Sequence, residues 1–238
     1  MDGRDHGDLL SAMLAARDEE TTGGTDAALT ETELIDNVVT FVIAGTDTSA
    51  ITLAWALHLV AQHPAVADTL HTEVDNVLDG RPAGYDDLPS LPFTLAVVNE
   101  TLRCYPPAWI TTRTTTTDTR LGGHFLPEGT LIGICMPLLQ RRPDHFPHHP
   151  EHFDPDRWSA QPPPHRDALF AFGGGARKCI GDVFARNQLV LSLATIAGRW
   201  QLEPLPDGPP VVPARSSLLT PKNMRMRTVS RHQAGDTS

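Results

Sequence analysis

Apolar residues follow two regimes along this chain. From Thr30 to Cys104 they recur at helical spacing, and beyond Trp109 they alternate with threonines and are broken by glycine and proline. The first long run opens on Thr30-Glu31-Thr32-Glu33, a capping box in which a threonine oxygen and a glutamate carboxylate satisfy each other's backbone N–H groups. Nothing interrupts the run before His63-Pro64, which predicts one helix of roughly 33 residues, about 50 Å long. A helix so apolar around its middle belongs at the centre of a larger body. Val66, Leu70, Val74 and Val77 mark a second helix, with Pro64 near its first position and Asp79-Gly80-Arg81-Pro82 as its stop. A third runs from Pro92 through Leu95, Val98 and Leu102 to about Cys104, ended by Pro106-Pro107.

Between Trp109 and Ile134, β-branched runs punctuated by Gly122-Gly123 and Pro127-Glu128-Gly129 predict short strands and hairpin turns. The segment Pro137 to Gly175 is rich in proline and histidine, lacks periodicity and reads as loop. A loop of that length inside a compact domain is usually a functional one. A last apolar helix is predicted from Gly181 to about Trp200, and the alternation Met224-Arg225-Met226-Arg227 predicts an edge strand. A short helical stretch around Leu9 to Ala16 precedes a Gly/Thr-rich segment, and no internal repeat is present.

Composition narrows the classes. With 29 acidic against 19 basic residues, the net charge of -10 argues against a nucleic-acid binder. The 18 glycines and 21 prolines fit long irregular segments. The 3 cysteines, Cys104, Cys135 and Cys179, contain no CxxC pair, so neither a disulfide scaffold nor a cysteine-rich zinc site is expected. Met1 to Asp8 is charged where a signal peptide would be apolar, which predicts a cytoplasmic protein. The apolar stretch from Val38 to Ala61 carries Gly45, Thr46, Asp47, Thr48 and Ser49 at its middle. A bilayer penalises polarity most there, so a buried core helix is expected rather than a membrane span.

Phe172-Gly173-Gly174-Gly175-Ala176-Arg177-Lys178-Cys179-Ile180-Gly181 is a glycine-rich turn leading into a helix, with a cysteine at the helix start. Glycines let backbone pass close to a flat group, and a helix N-terminus favours thiolate. Glycine-rich turns before helices also cradle phosphate, with the cysteine then merely structural. Upstream, Glu100-Thr101-Leu102-Arg103 places an acid and a base on one helix face. Phe153-Asp154-Pro155-Asp156-Arg157-Trp158 and Ala44-Gly45-Thr46-Asp47-Thr48-Ser49 complete the set. His145, His148, His149 and His152 invite a zinc reading, which their proline-rich setting without helical register disfavours.

The ten-residue string satisfies FxxGxRxCxG at every fixed position and resembles the haem-ligand loop of the cytochrome P-450 family. The other three motifs resemble that family's ExxR helix, its PxRF/W segment and its oxygen-binding groove, in the same order along the chain. The resemblance implies a mainly α fold with small β-sheets, corresponding to the C-terminal portion of the family fold: long central helix, ExxR helix, small sheet, meander loop, Cys-ligand loop and the helix after it. It divides the chain into a partly ordered segment 1–29, a haem-binding part 30–228 and a disordered tail 229–238.

The family likeness also assigns residues. It implies haem b with Cys179 as axial thiolate ligand of the iron, and Phe172, Gly173, Gly181 and Gly45 against the haem. Arg177 and Arg113 become partners of the propionates, since arginine pairs carboxylates bidentately. Glu100, Arg103 and Arg157 form a buried structural network. Thr48 donates a hydrogen bond to bound oxygen, and Asp47 relays protons from solvent. Ile43, Ala44, Thr48 and the segment Ile110 to Thr112 face substrate by family position. The implied activity is monooxygenation of an apolar small molecule, terpenoid or fatty-acid-like, with O2 and electrons from a ferredoxin or flavoprotein reductase. Arg177, Lys178 and Arg186 are candidates to meet an acidic redox partner. The wording around Cys104 and Cys179 lies closest to bacterial terpene-oxidising members. Because family chains are about twice this length, the alternative is a truncated, non-catalytic fragment or one half of a split protein. Such a chain would leave apolar surface of the long helix uncovered.

Overall fold

Helix α1 (Leu9–Ala15) starts where the Asp8 side chain accepts a hydrogen bond from the Ser11 amide. The computed structural model describes residues 6–16, 28–159 and 168–231. The expected capping box opens helix α2 (Glu31–Gln62): Glu33 N–H donates to Thr30 Oγ1 at 3.2 Å, and Thr30 N–H donates to Glu33 Oε2 at 2.8 Å. Pro64 opens α3 (Pro64–Leu78), which ends on Asp79 in the left-handed region at φ 46°. Helix α4 (Pro92–Cys104) is capped from outside its own sequence. The Glu73 carboxylate of α3 accepts from the Phe93 and Thr94 amides at 2.7 and 2.8 Å.

The chain forms two compact units, residues 1–47 and 48–238, with the boundary inside α2. In the second unit the core is built from α3, α4, helix α6 (Asp182–Arg199) and the last turns of α2. Leu70, Val74, Leu78, Val97, Val98, Leu102, Leu189 and Leu193 are buried together there. On α2, Ser49, Thr52, Trp55, Ala56 and Leu59 are buried, whereas Ile35, Val39, Val42 and Ile43 are exposed. Burial along α2 is therefore confined to part of its length, short of the buried core helix expected. The helices that supply the core pack against its C-terminal half. By length and composition α2 is also apolar enough to cross a membrane.

Strands β1 (Ile110–Thr114) and β4 (Leu131–Cys135) pair antiparallel, as do β2 (Thr119–Leu121) and β3 (His124–Leu126). The predicted loop carries a short helix α5 (Met136–Leu139) and a 3-10 turn (Pro155–Trp158). Trp200 belongs to strand β5 (Trp200–Pro204) rather than to α6. The predicted edge strand runs Met226–Ser230 as β8 and pairs with β5. Arg231 follows and clamps Asp75 through both guanidinium nitrogens, at 3.1 and 2.6 Å. Residues 232–238 of the expected tail, and 1–5 and 17–27 of the N-terminal segment, lie outside the described residues.

The hairpin of β6 (Val212–Arg215) and β7 (Leu219–Lys222) was not legible, because Pro213 and Pro221 sit opposite one another in it and proline argues against a strand. It is held by Trp55, whose Nε1 donates to Leu219 O at 2.8 Å while its ring stacks on Tyr105 at 4.0 Å.

Candidate functional site

Glu100 and Arg103 lie one turn apart on α4 with side chains completely buried. Arg157 comes from the 3-10 turn and is 9% exposed. Glu100 Oε1 accepts from Arg103 Nη2 (2.7 Å), Arg157 Nε (2.9 Å) and the Asp154 amide (3.0 Å). Its Oε2 accepts from Arg103 Nε (2.8 Å) and Trp158 Nε1 (2.9 Å). Burial opposes the Arg103 charge most strongly, but the Glu100 hydrogen bond together with the charges of Cys104, Glu100 and Glu151 holds the guanidinium pKa above its ordinary value.

The remaining guanidinium donors go to loop carbonyls. Arg103 reaches Gln140 O (3.0 Å), Pro150 O (2.6 Å) and His152 O (2.8 Å). Arg157 reaches His148 O (3.2 Å) and His149 O (3.4 Å). Both cations also sit over the Phe146 ring. The histidine-rich segment therefore contributes backbone acceptors to this network, and no group of three or more metal-ligating side chains occurs among the described residues.

Sequence reasoning missed three members: Trp158, Gln140 and Arg141. Gln140 Nε2 donates to Leu102 O and Arg103 O, and Arg141 Nη2 donates to Cys104 O. They satisfy carbonyls that a helix C-terminus leaves without intrahelical partners. Only the tertiary approach of α5 to α4 reveals them.

The network ties backbone carbonyls of residues 140 to 152 to α4. The Cys179 amide donates to Phe172 O at 2.9 Å, and Lys178 N–H donates to Gly175 O at 3.1 Å across a 3-10 turn (Gly175–Arg177). Gly173 and Gly175 adopt φ of 71° and 65°, conformations that side chains disfavour. Gly174 is extended, but a Cβ there would lie 2.9 Å from the Phe170 ring. Gly174→Ala is expected to displace that ring and destabilise the fold by about 1–3 kcal/mol, as overpacking does. Denaturant unfolding measures this; an unchanged midpoint would show that the ring swings aside freely.

Cys179 is exposed, Cys135 half-buried and Cys104 buried. Burial pushes the Cys104 thiol up to about 12, so it stays protonated at neutral pH. Around Cys179 lie exposed apolar side chains: Ile180 (84%), Val183 and Phe184 (69%). Arg177 is exposed and meets no carboxylate among the described residues. Arg113, on β1, is exposed and, among the described residues, donates to Thr111 Oγ1 and Thr112 O. An accessible sulfur donor on a loop with three glycines, exposed apolar side chains next to it in sequence, and two arginines with no carboxylate partner among the described residues are the chemistry that a flat apolar metal macrocycle bearing two acids would take. These residues fit haem.

The other two cations of the loop are engaged. Lys178 pairs with Asp182 at 2.7 Å, a bond that holds the Asp182 carboxyl below its ordinary pKa. Arg186 lies over the Phe172 ring at 4.9 Å. Lys178 and Arg186 thus each have a partner on or beside α6, while Arg177 stands exposed.

Gly45, Asp47 and Thr48 lie within about one turn of α2, which is helical without interruption there. Thr48 is half-buried and Asp47 exposed, and a Cβ at Gly45 would meet no atom within 4 Å. Thr46 Oγ1 donates back to Val42 O at 2.6 Å, and Thr52 Oγ1 to Thr48 O at 2.8 Å.

Over residues 1–227 the chain matches the cytochrome P-450 family. It is 47% identical over 206 residues to the cyclooctat-9-en-7-ol 5-monooxygenase of Streptomyces melanosporofaciens, covering 86% of this chain and 44% of that protein. It is 45% identical over 226 residues to the pentalenene oxygenase of Streptomyces avermitilis, covering 94% and 49%. A crystal structure of a cytochrome P-450 superposes with a TM-score of 0.82 at 28% identity, covering 94% of this chain and 50% of that one. The chain spans about half the length of the curated relatives it matches.

Proposed function

Because this chain belongs to the cytochrome P-450 family, we propose that it provides the ligand and oxygen side of a haem-thiolate monooxygenase that inserts one atom of O2 into a terpenoid. The observation that carries this reading is the exposed Cys179 thiol, whose amide is pinned to Phe172 O on a glycine loop. The relatives' names, an oxygenase of pentalenene and a monooxygenase of cyclooctat-9-en-7-ol, support a polycyclic apolar substrate.

When bound, haem b supplies an iron centre that activates O2 with two electrons from a ferredoxin or flavoprotein donor in the cytoplasm. Cys179 Sγ would hold the iron. Arg113 and Arg177 would take the propionates, and Phe172, Gly173, Gly181 and Gly45 would border the ring. Glu100, Arg103 and Arg157 keep the approach to the Cys179 loop rigid. Thr48 would supply a hydroxyl proton at Oγ1 for oxygen chemistry, and Asp47, which is exposed, would exchange protons with water.

The haem-loaded protein, reduced under carbon monoxide, is expected to show the red-shifted absorption band of a thiolate ligand; an unshifted band would overturn the reading. Thr48→Ala is expected to raise peroxide release per electron pair consumed, because a positioned proton donor is lost. Unchanged coupling of electrons to product would remove Thr48 from proton delivery.

A further inference from the structure

We infer that Arg186 is a positioning residue for Cys179, acting through the Phe172 ring rather than through a charge partner. Three observations converge on it. The guanidinium carbon stands 4.9 Å from the Phe172 ring centroid, within cation–π range. Its Nε is buried with no hydrogen-bond partner among the described residues, so the ring face is the contact that offsets the desolvation of that N–H. The nearest acid in sequence, Asp182, bonds Lys178 at 2.7 Å and feels Arg186 only as a weaker charge.

Phe172 is the link to the ligand. Its carbonyl accepts the Cys179 N–H at 2.9 Å, closing the loop from Phe172 to Cys179. Its ring packs against the helical core, and Arg186 covers it from the second turn of α6. Glycines at 173, 174 and 175 give the loop little rigidity of its own. A ring trapped between the core and a cation therefore fixes the one carbonyl that orients the Cys179 backbone. Arg186 is thereby withdrawn from the surface role that its charge and sequence position suggest.

This inference rests on Cys179 being the iron ligand, and the test separates the two. Amide hydrogen exchange at Cys179 is measured in the full chain without haem. Arg186→Met keeps the stem and removes the cation; the Cys179 amide is expected to exchange about two- to fivefold faster, the ratio that a cation–π contact at a partly exposed site supports. Arg186→Lys, which restores a cation, is expected to recover part of that protection. Phe172→Leu should raise exchange similarly, and adding Arg186→Met to it should change nothing more. Exchange unchanged in Arg186→Met, or additive effects in the double variant, would overturn the inference. In the haem-loaded protein under carbon monoxide, Arg186→Met should show a two- to fivefold rise in the ratio of unshifted to red-shifted band, by the same energy. Altered exchange in a protein whose wild type lacks the red-shifted band would refute the ligand assignment while leaving the positioning role standing.

Discussion

Glu100→Ala is expected to destabilise the fold by about 3–5 kcal/mol, the cost of removing one partner from a buried ion network. The carboxylate takes five hydrogen bonds on its two oxygens, from Arg103, Arg157, Asp154 and Trp158. Its loss strands the Arg103 guanidinium at 0% exposure, beside a second cation at 9%, with carbonyls and only the more distant Asp154 and Glu151 charges to offset them. Against a total stability of about 5–15 kcal/mol, that leaves much of the population unfolded or the meander segment detached. The Arg81–Asp87 pair is as short, at 2.6 Å, but Arg81 is half exposed, so Arg81→Ala should be nearly silent. Denaturant midpoints of the two variants decide the matter. A Glu100→Ala loss below about 1 kcal/mol would mean that the network is solvated and does not hold the loop.

Cys179→Ser is expected to abolish the red-shifted carbon monoxide band while leaving the unfolding midpoint unchanged. Serine is close to isosteric, and the side chain is exposed, so packing loses nothing. Its hydroxyl, however, stays protonated at neutral pH and is a poor soft ligand for iron. The other cysteines give no substitute: the Cys104 thiol, pushed up to about 12 by burial, also accepts a hydrogen bond from Arg103 at 3.2 Å. Cys104→Ala should show the reverse pattern, with the band retained and stability lowered. A red-shifted band persisting in Cys179→Ser would transfer the ligand role elsewhere.

Helix ends were legible where local chemistry sets them. Thr30 and Glu33 cap α2, Pro64 and Pro92 open α3 and α4, and Asp79-Gly80 closes α3. Each involves bonds within a few residues, which the local sequence specifies. The β6–β7 hairpin and the β5–β8 pairing were not, since their registers are set by partners such as Trp55 and by strands joined across the unit.

The same division holds at the site. By itself the amino-acid sequence determined the loop with its cysteine, the acid and base one turn apart on α4, and the family to which their order belongs. Local spacing alone could not say whether Glu100 and Arg103 formed a solvated bridge or a buried one. Only the tertiary structure decided that, by laying Arg157, Trp158 and the carbonyls of residues 140 to 152 around them. It likewise decided which cations near Cys179 are free, because Lys178 and Arg186 meet Asp182 and Phe172 only once the loop is folded onto α6. The physical reason is burial. A charge's partners and its cost depend on what excludes water from it, and that comes from residues far away in the chain.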